Sequence, residues 1–178
     1  MMIEQHIIPW ARAVLSTTPE RWLRLAETLP VALLQRQPVA GEWPALACLQ
    51  HLIDTERFVF PARVQFLLAG QDFPAFDPDS AGPHPQVGQS PLDLAQTFAQ
   101  LRRQSLAELD QVQAADLDRR ARHSELGVVT LQEMLHEWAG HDLMHTVQAE
   151  RALMQPFIAG CGPWQPYFAD HWAGDKAV

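Results

Sequence analysis

The chain has 178 residues, 47% hydrophobic and 19% charged, with a formal net charge of -8, which suits one sizeable core and, most simply, a single domain over 1–178. With one lysine, Lys176, among thirteen basic residues, no clustered basic footprint for nucleic acid or an anionic membrane is expected, and Arg119, Arg120 and Arg122 read as a solvated loop edge. Cys48 and Cys161 form no CxxC and fit a reducing cytoplasm, and neither a basic leader nor an apolar run near membrane-spanning length is present.

In chain order, Ile3 to Leu15 is mildly amphipathic but interrupted by Pro9, and reads as a short N-terminal helix. Thr17-Thr18-Pro19-Glu20 then opens a second helix with a threonine cap and a proline at the first position, and Pro30 ends or bends it. A short helical turn and a loop over Val31 to Glu42 deliver Trp43-Pro44 to the next helix, expected from about Pro44 to Ala69. That helix carries His51 on a mainly apolar stripe with Ala47, Thr55, Phe58, Ala62 and Phe66. An interior imidazole needs a partner. A hydrogen-bonded core histidine and a metal ligand both satisfy the pattern, and nearby Cys48 reads as small core filling.

Gln71 to Gln89 is rich in proline and glycine and reads either as a lid or as a surface crossover pinned by Phe73 and Phe76, with His84 solvated. Ser90-Pro91-Leu92-Asp93 starts another helix, whose stripe is Leu94, Phe98, Leu101, Ser105 and Leu109. A turn region runs through His123-Ser-Glu-Leu-Gly127, and Thr130-Leu-Gln-Glu133 is a capping-box pattern opening the last long helix. The tail from Pro156, with Phe157, Trp164, Tyr167, Phe168 and Trp172, is expected to pack irregularly against the body. Four long helical segments without alternating strand patterns predict an all-α four-helix bundle with a short N-terminal helix and an irregular C-terminal extension.

The last helix holds the clearest chemical signal, His141-Asp-Leu-Met-His145. Positions four apart stack on one helical face, so both imidazoles can address one divalent ion without loop-ordering entropy. With eight histidines in the chain, the pair alone is weak evidence, and a third ligand must come from elsewhere. Met134, Trp138, Met144 and Ala152 share the side of the pair, whereas His136 lies opposite. Two familiar helical motifs fail. His136-Glu137 to His141 is one residue too long for HExxH, rotating the second histidine by about 140°, and Glu133-Met-Leu-His136 occurs once where a di-iron bundle needs two copies. His141-Asp142 to His145 has the HExxH length but a shorter acid.

Trp43 ahead of His51-Leu-Ile-Asp-Thr-Glu56, Arg63 and Gly70, His123-Ser-Glu-Leu-Gly127 to Thr130-Leu131, and Trp138, His141-Asp142, His145 and Gln148 together resemble the DinB (DinB/YfiT-like) family of metal-binding four-helix bundles, from roughly Trp22 to Leu153; Gly162-Pro163-Trp164 is similar to members with a C-terminal extension. The resemblance implies that His51, His141 and His145 bind a divalent ion, which is nickel, zinc, manganese or iron across the family. It also implies a thiol-transferase-like or hydrolase-like metalloenzyme acting on a small molecule, with a low-molecular-weight thiol as one cosubstrate, and it alone raises homodimerisation. The alternative is a non-catalytic stress or metal-binding protein whose ion is structural. Three neutral imidazoles would leave the ion its charge and open positions. Glu137 and Gln148 lie near His141 on the helical wheel and are candidates to hydrogen-bond a ligand or water. Asp142 and Glu56 lie off the ligand faces and are expected to orient neighbouring helices or caps.

Overall fold

The structure is a computed structural model and describes residues 6–75 and 88–173. Four long helical elements make the bundle: α1 (Ile7–Thr28), α3 (Ala45–Phe58) continued by α4 (Phe60–Ala69), α5 (Pro91–Leu109) and α6 (Leu131–Gly160); α2 (Val31–Leu34) is a single turn. Both α1 and α3 pack against α5 and α6. This alternation places α1 and α3 across the bundle from one another, with α5 and α6 between them.

The chain caps its helices where its side chains dictate. Ser90 accepts from Asp93 N, and Asp93 answers to the Ser90 backbone and hydroxyl; Thr130 and Glu133 make the same reciprocal pair at the start of α6. Each box satisfies donors that a helix start otherwise leaves free, and places an acid at the positive end of the helix dipole.

Four expectations are corrected. The first two helical segments are one continuous α1, with Pro19 inside it. Thr17 and Thr18 do not cap a new helix but turn their hydroxyls back to the Val14 carbonyl. Conversely, the helix expected over Pro44 to Ala69 is interrupted at Val59, whose φ of -118° and ψ of -79° depart from ideal helical values. Pro61 accounts for this, since its ring blocks the Arg57 carbonyl and it has no N–H to give. The turn region near His123 is a hairpin, β1 (Arg120–His123) against β2 (Gly127–Thr130), in antiparallel register from Arg120 opposite Thr130 to His123 opposite Gly127. Gly127 supports it at a φ of 81°, which a side chain resists. Finally, α6 runs through Pro156 to Gly160.

The tail packs against α6 as an irregular extension, as expected. Trp164 and Tyr167 are exposed, and backbone groups of the segment make the polar attachment. Arg151 donates to the carbonyls of His171 and Trp172, while Gln155 donates to the His171 carbonyl and accepts from Ala173 N. Phe73 does pin its loop as expected: it is buried and exchanges backbone bonds with Arg122 and Ser124. Ile3, where the first helix was expected to begin, and most of the Gln71–Gln89 stretch, Phe76 and His84 included, lie outside the described residues. No helix among the described residues is long and apolar enough to cross a membrane.

Candidate metal centre

His51 comes from α3, and His141 and His145 from α6, two helices packed directly together. Each imidazole offers one nitrogen to a cluster whose members all lie within 4.8 Å of one another. His51 and His145 are buried at 1% and 4% exposure. The Nε2 atoms of His51 and His141 stand 3.0 Å apart. Two nitrogens bound about 2.0–2.1 Å from one ion lie roughly 3 to 4 Å from each other, so the donor set closes on a cation with side-chain shifts of under an ångström.

Hydrogen bonding selects which nitrogen of His145 faces the cluster. Its Nδ1 lies 2.8 Å from Gln148 Oε1. An amide oxygen only accepts, so the proton is on Nδ1 and the lone pair on Nε2, the arrangement of a ligating imidazole held by an outer partner. On His141, Nδ1 is buried without a hydrogen-bond partner among the described residues. That ring is therefore not a satisfied core histidine. Burial, then the proximity of His145 and His51 and finally of Arg102 and Arg63, pushes the His141 pKa down to about 3. It is neutral at ordinary pH, as a ligand must be.

The walls are aromatic. Trp43 stacks on His145 at 6.0 Å with the planes 14° apart and lies tilted 5.2 Å from His51, while Phe60 meets His141 at 5.0 Å. Trp43 is held there by the loop that Pro44 joins to α3. Such walls exclude water and strengthen electrostatic interactions inside them. Beside His145 opens a cavity of about 450 Å³, reached by Glu42, Trp43, Met144, Val147, Gln148 and Arg151.

The helices that carry the ligands are locked by a buried ion cluster. Arg102 of α5 gives bidentate bonds to Glu56 of α3 at 2.9 and 2.8 Å and to Asp142 of α6 at 2.7 and 2.9 Å, and its fifth N–H goes to the Leu15 carbonyl of α1 at 2.9 Å. Leu15 is four residues before Pro19, and its carbonyl is the one that the missing proline N–H leaves unpaired inside α1. One guanidinium thus joins all four long elements and repairs the proline defect. All three side chains are 1% exposed. Burial opposes the charge on Arg102, but Asp142 and then Glu56 outweigh it, and the net shift of the guanidinium is upward. Its flat faces lie over Phe98 at 4.9 Å and Trp138 at 5.6 Å, side chains from the two apolar clusters of the core.

The structure therefore brings together all three histidines singled out in the sequence. Gln148 holds His145 as anticipated, and Glu56 and Asp142 do orient helices. Glu137 is exposed and faces Arg63, where it partly offsets the burial that lowers the arginine's pKa. His136 is exposed, away from the cluster. Cys48 is fully buried, and burial pushes its thiol up to about 12. Met144, read as sharing the histidine side, is 55% exposed at the cavity.

Arg102 escaped the sequence reading, although the steps Leu94, Phe98, Arg102, Ser105, Leu109 put it in an apolar stripe. A charge at such a position signals a buried partner. His123, which the sequence placed in a turn without a role, has one here. It accepts from the N–H groups of Glu125 and Leu126 at Nδ1, both at 3.2 Å, and so pins the hairpin turn.

Comparison with known proteins bears on the fold and the family. Among solved structures the fold is similar to YfiT from Bacillus subtilis, described as a probable metal-dependent hydrolase with an unusual four-helix bundle topology; the TM-score is 0.70 at 17% identity, over 84% of this chain and 87% of that one. No curated protein matches. The sequence itself matches the DinB superfamily over residues 15–149, well over half its length, and the chain belongs to that superfamily.

Proposed function

We propose that the protein is a metal-dependent enzyme of hydrolase-like type, whose divalent ion is held by His51, His141 and His145. The observation that carries this reading is a donor set of three histidines, with no fourth histidine, cysteine or carboxylate joining it among the described residues. Structural sites close with four protein ligands, whereas catalytic sites leave a position open. An ion bound there would supply Lewis acidity, enough to activate water or a thiol and to polarise a carbonyl.

The remaining work falls to the chain. Gln148 fixes the tautomer and angle of His145. Trp43 and Phe60 keep water from the ring faces, and the Arg102 cluster sets the distance between α3 and α6. The cavity lined by His145 gives a substrate room beside one of the three ligands. The solved relative described as a probable metal-dependent hydrolase supports hydrolysis as the first reaction to try, with transfer to a low-molecular-weight thiol as the second.

The test is turnover of a panel of carboxylic esters and amides, and of electrophiles with added thiol, by chelated protein reloaded separately with nickel, zinc, manganese or iron. Metal-dependent turnover lost in His145→Ala is expected. Tight metal binding without turnover of any panel member would favour a structural ion, and the enzyme reading would fall.

A further inference from the structure

The cavity beside His145 has a chemical character of its own. Its volume of about 450 Å³ lies in the range of small-ligand pockets. Met144 and Val147, one turn apart on α6, are 55% and 62% exposed there, and the Trp43 ring completes an apolar wall. Arg151 stands one further turn along the same helix. Its Nε and Nη2 are fixed by the carbonyls of His171 and Trp172, at 3.2 and 2.8 Å. Among the described residues nothing hydrogen-bonds its Nη1 and no carboxylate pairs with it. A guanidinium held by neutral carbonyls keeps its full charge and is pre-oriented, so a ligand anion does not have to order it. Glu42 is the one opposing charge on the lining. Arg151 balances it, and an ion held by the histidines would only add positive charge, so recognition of an anion rests on direct pairing with the pre-oriented guanidinium.

We propose that this cavity is the substrate subsite of the metal centre and that it takes an amphipathic carboxylate: the carboxylate on Arg151, the apolar part along Val147, Met144 and Trp43, and the reacting end toward His145. This rests on the enzyme reading above for its catalytic meaning, but the binding itself does not need the metal. Glu42 then acts against a second negative charge and limits the site to monoanions.

Metal-free protein labelled with 13C in its methionine methyl groups tests this separately from metal chemistry, with the Met144 signal assigned by Met144→Leu. Titration with 4-phenylbutyrate should move the Met144 methyl in a saturable way, and 4-phenylbutyramide and 4-phenylbutylamine should bind about tenfold more weakly or not at all. Arg151→Gln should abolish the preference for the acid over the amide. Because that variant also loosens the tail, Glu42→Gln is the second arm: it touches no tail contact and should tighten the acid severalfold while leaving the amide unchanged. Equal binding of acid and amide, no shift at Met144 up to millimolar ligand, or an acid affinity indifferent to Glu42→Gln would overturn the proposal. If metal fails to bind but the acid preference holds, the subsite stands and only the enzyme reading falls.

Discussion

Replacing Arg102 by methionine should be among the most damaging single changes in the protein. The substitution retains much of the aliphatic stem but strands Glu56 and Asp142, each 1% exposed, without their cation. Breaking a buried pair from one side costs about 3–5 kcal/mol, because an uncompensated charge is left behind. The Leu15 carbonyl also loses its donor, at about 1–3 kcal/mol for an unsatisfied buried group. These terms overlap, and a total near 5 kcal/mol is expected, which at about 2–4 °C per kcal/mol for a domain of this size lowers Tm by roughly 10–20 °C. Thermal melts of wild type, Arg102→Met and Arg102→Met with Glu56→Gln and Asp142→Asn measure the effect. The triple variant should recover much of the loss, because it removes the stranded charges. A single variant within about 2 °C of wild type, or a triple variant no more stable than the single one, would refute the reasoning.

Three further outcomes are expected. Because His141 is pushed down to about 3 from 6.5, the unfolded chain binds a proton that the metal-free folded protein refuses between those values; stability should be full above pH 6.5 and fall on acidification at up to about 1.4 kcal/mol per unit, as denaturant titrations at several pH values would reveal. His141→Phe should flatten that slope. Gln148→Leu removes the acceptor of His145 Nδ1 and should weaken metal affinity about 10–100-fold without loss of fold, read by competition with a chromogenic chelator. Native protein should react with a thiol reagent at Cys161 and not at Cys48, whose buried thiol is pushed up to about 12; one equivalent is expected by thiol titration before unfolding and two after, and a fast second equivalent in native protein would contradict the burial.

What could be read from the sequence follows the range over which each interaction acts. The capping boxes at Ser90 and Thr130 are contained within four residues, and they appear where the sequence places them. The pair His141 and His145 is likewise a property of one helix, whereas local pattern leaves the role of His51 open, because its partner His141 lies ninety residues away; only the family resemblance selects it. Proline misled in both directions for a related reason. At Pro19 the local rule predicts a helix start, but the bundle supplies Arg102 to the Leu15 carbonyl, and α1 continues. At Pro61 no such donor is found among the described residues, and the helix breaks at Val59. The hairpin was missed because only Ala121 and His123 of β1 face inward, too short an alternation to register as a strand.

The central claim is that His51, His141 and His145 form one centre whose ion stabilises the fold, and the most direct measurement is metal content with a melting scan. Protein purified without an affinity tag is analysed for nickel, zinc, manganese and iron, then melted with and without chelator, alongside His145→Ala and His136→Ala. Binding to the native state at a hundredfold excess over Kd contributes about 2.7 kcal/mol, or roughly 5–10 °C here. Wild type and His136→Ala should hold about one ion per chain and lose that increment on chelation; His145→Ala should hold little and melt the same either way. Retention of the wild-type response by His145→Ala, its loss in His136→Ala, or protein that neither contains nor takes up metal would contradict the account.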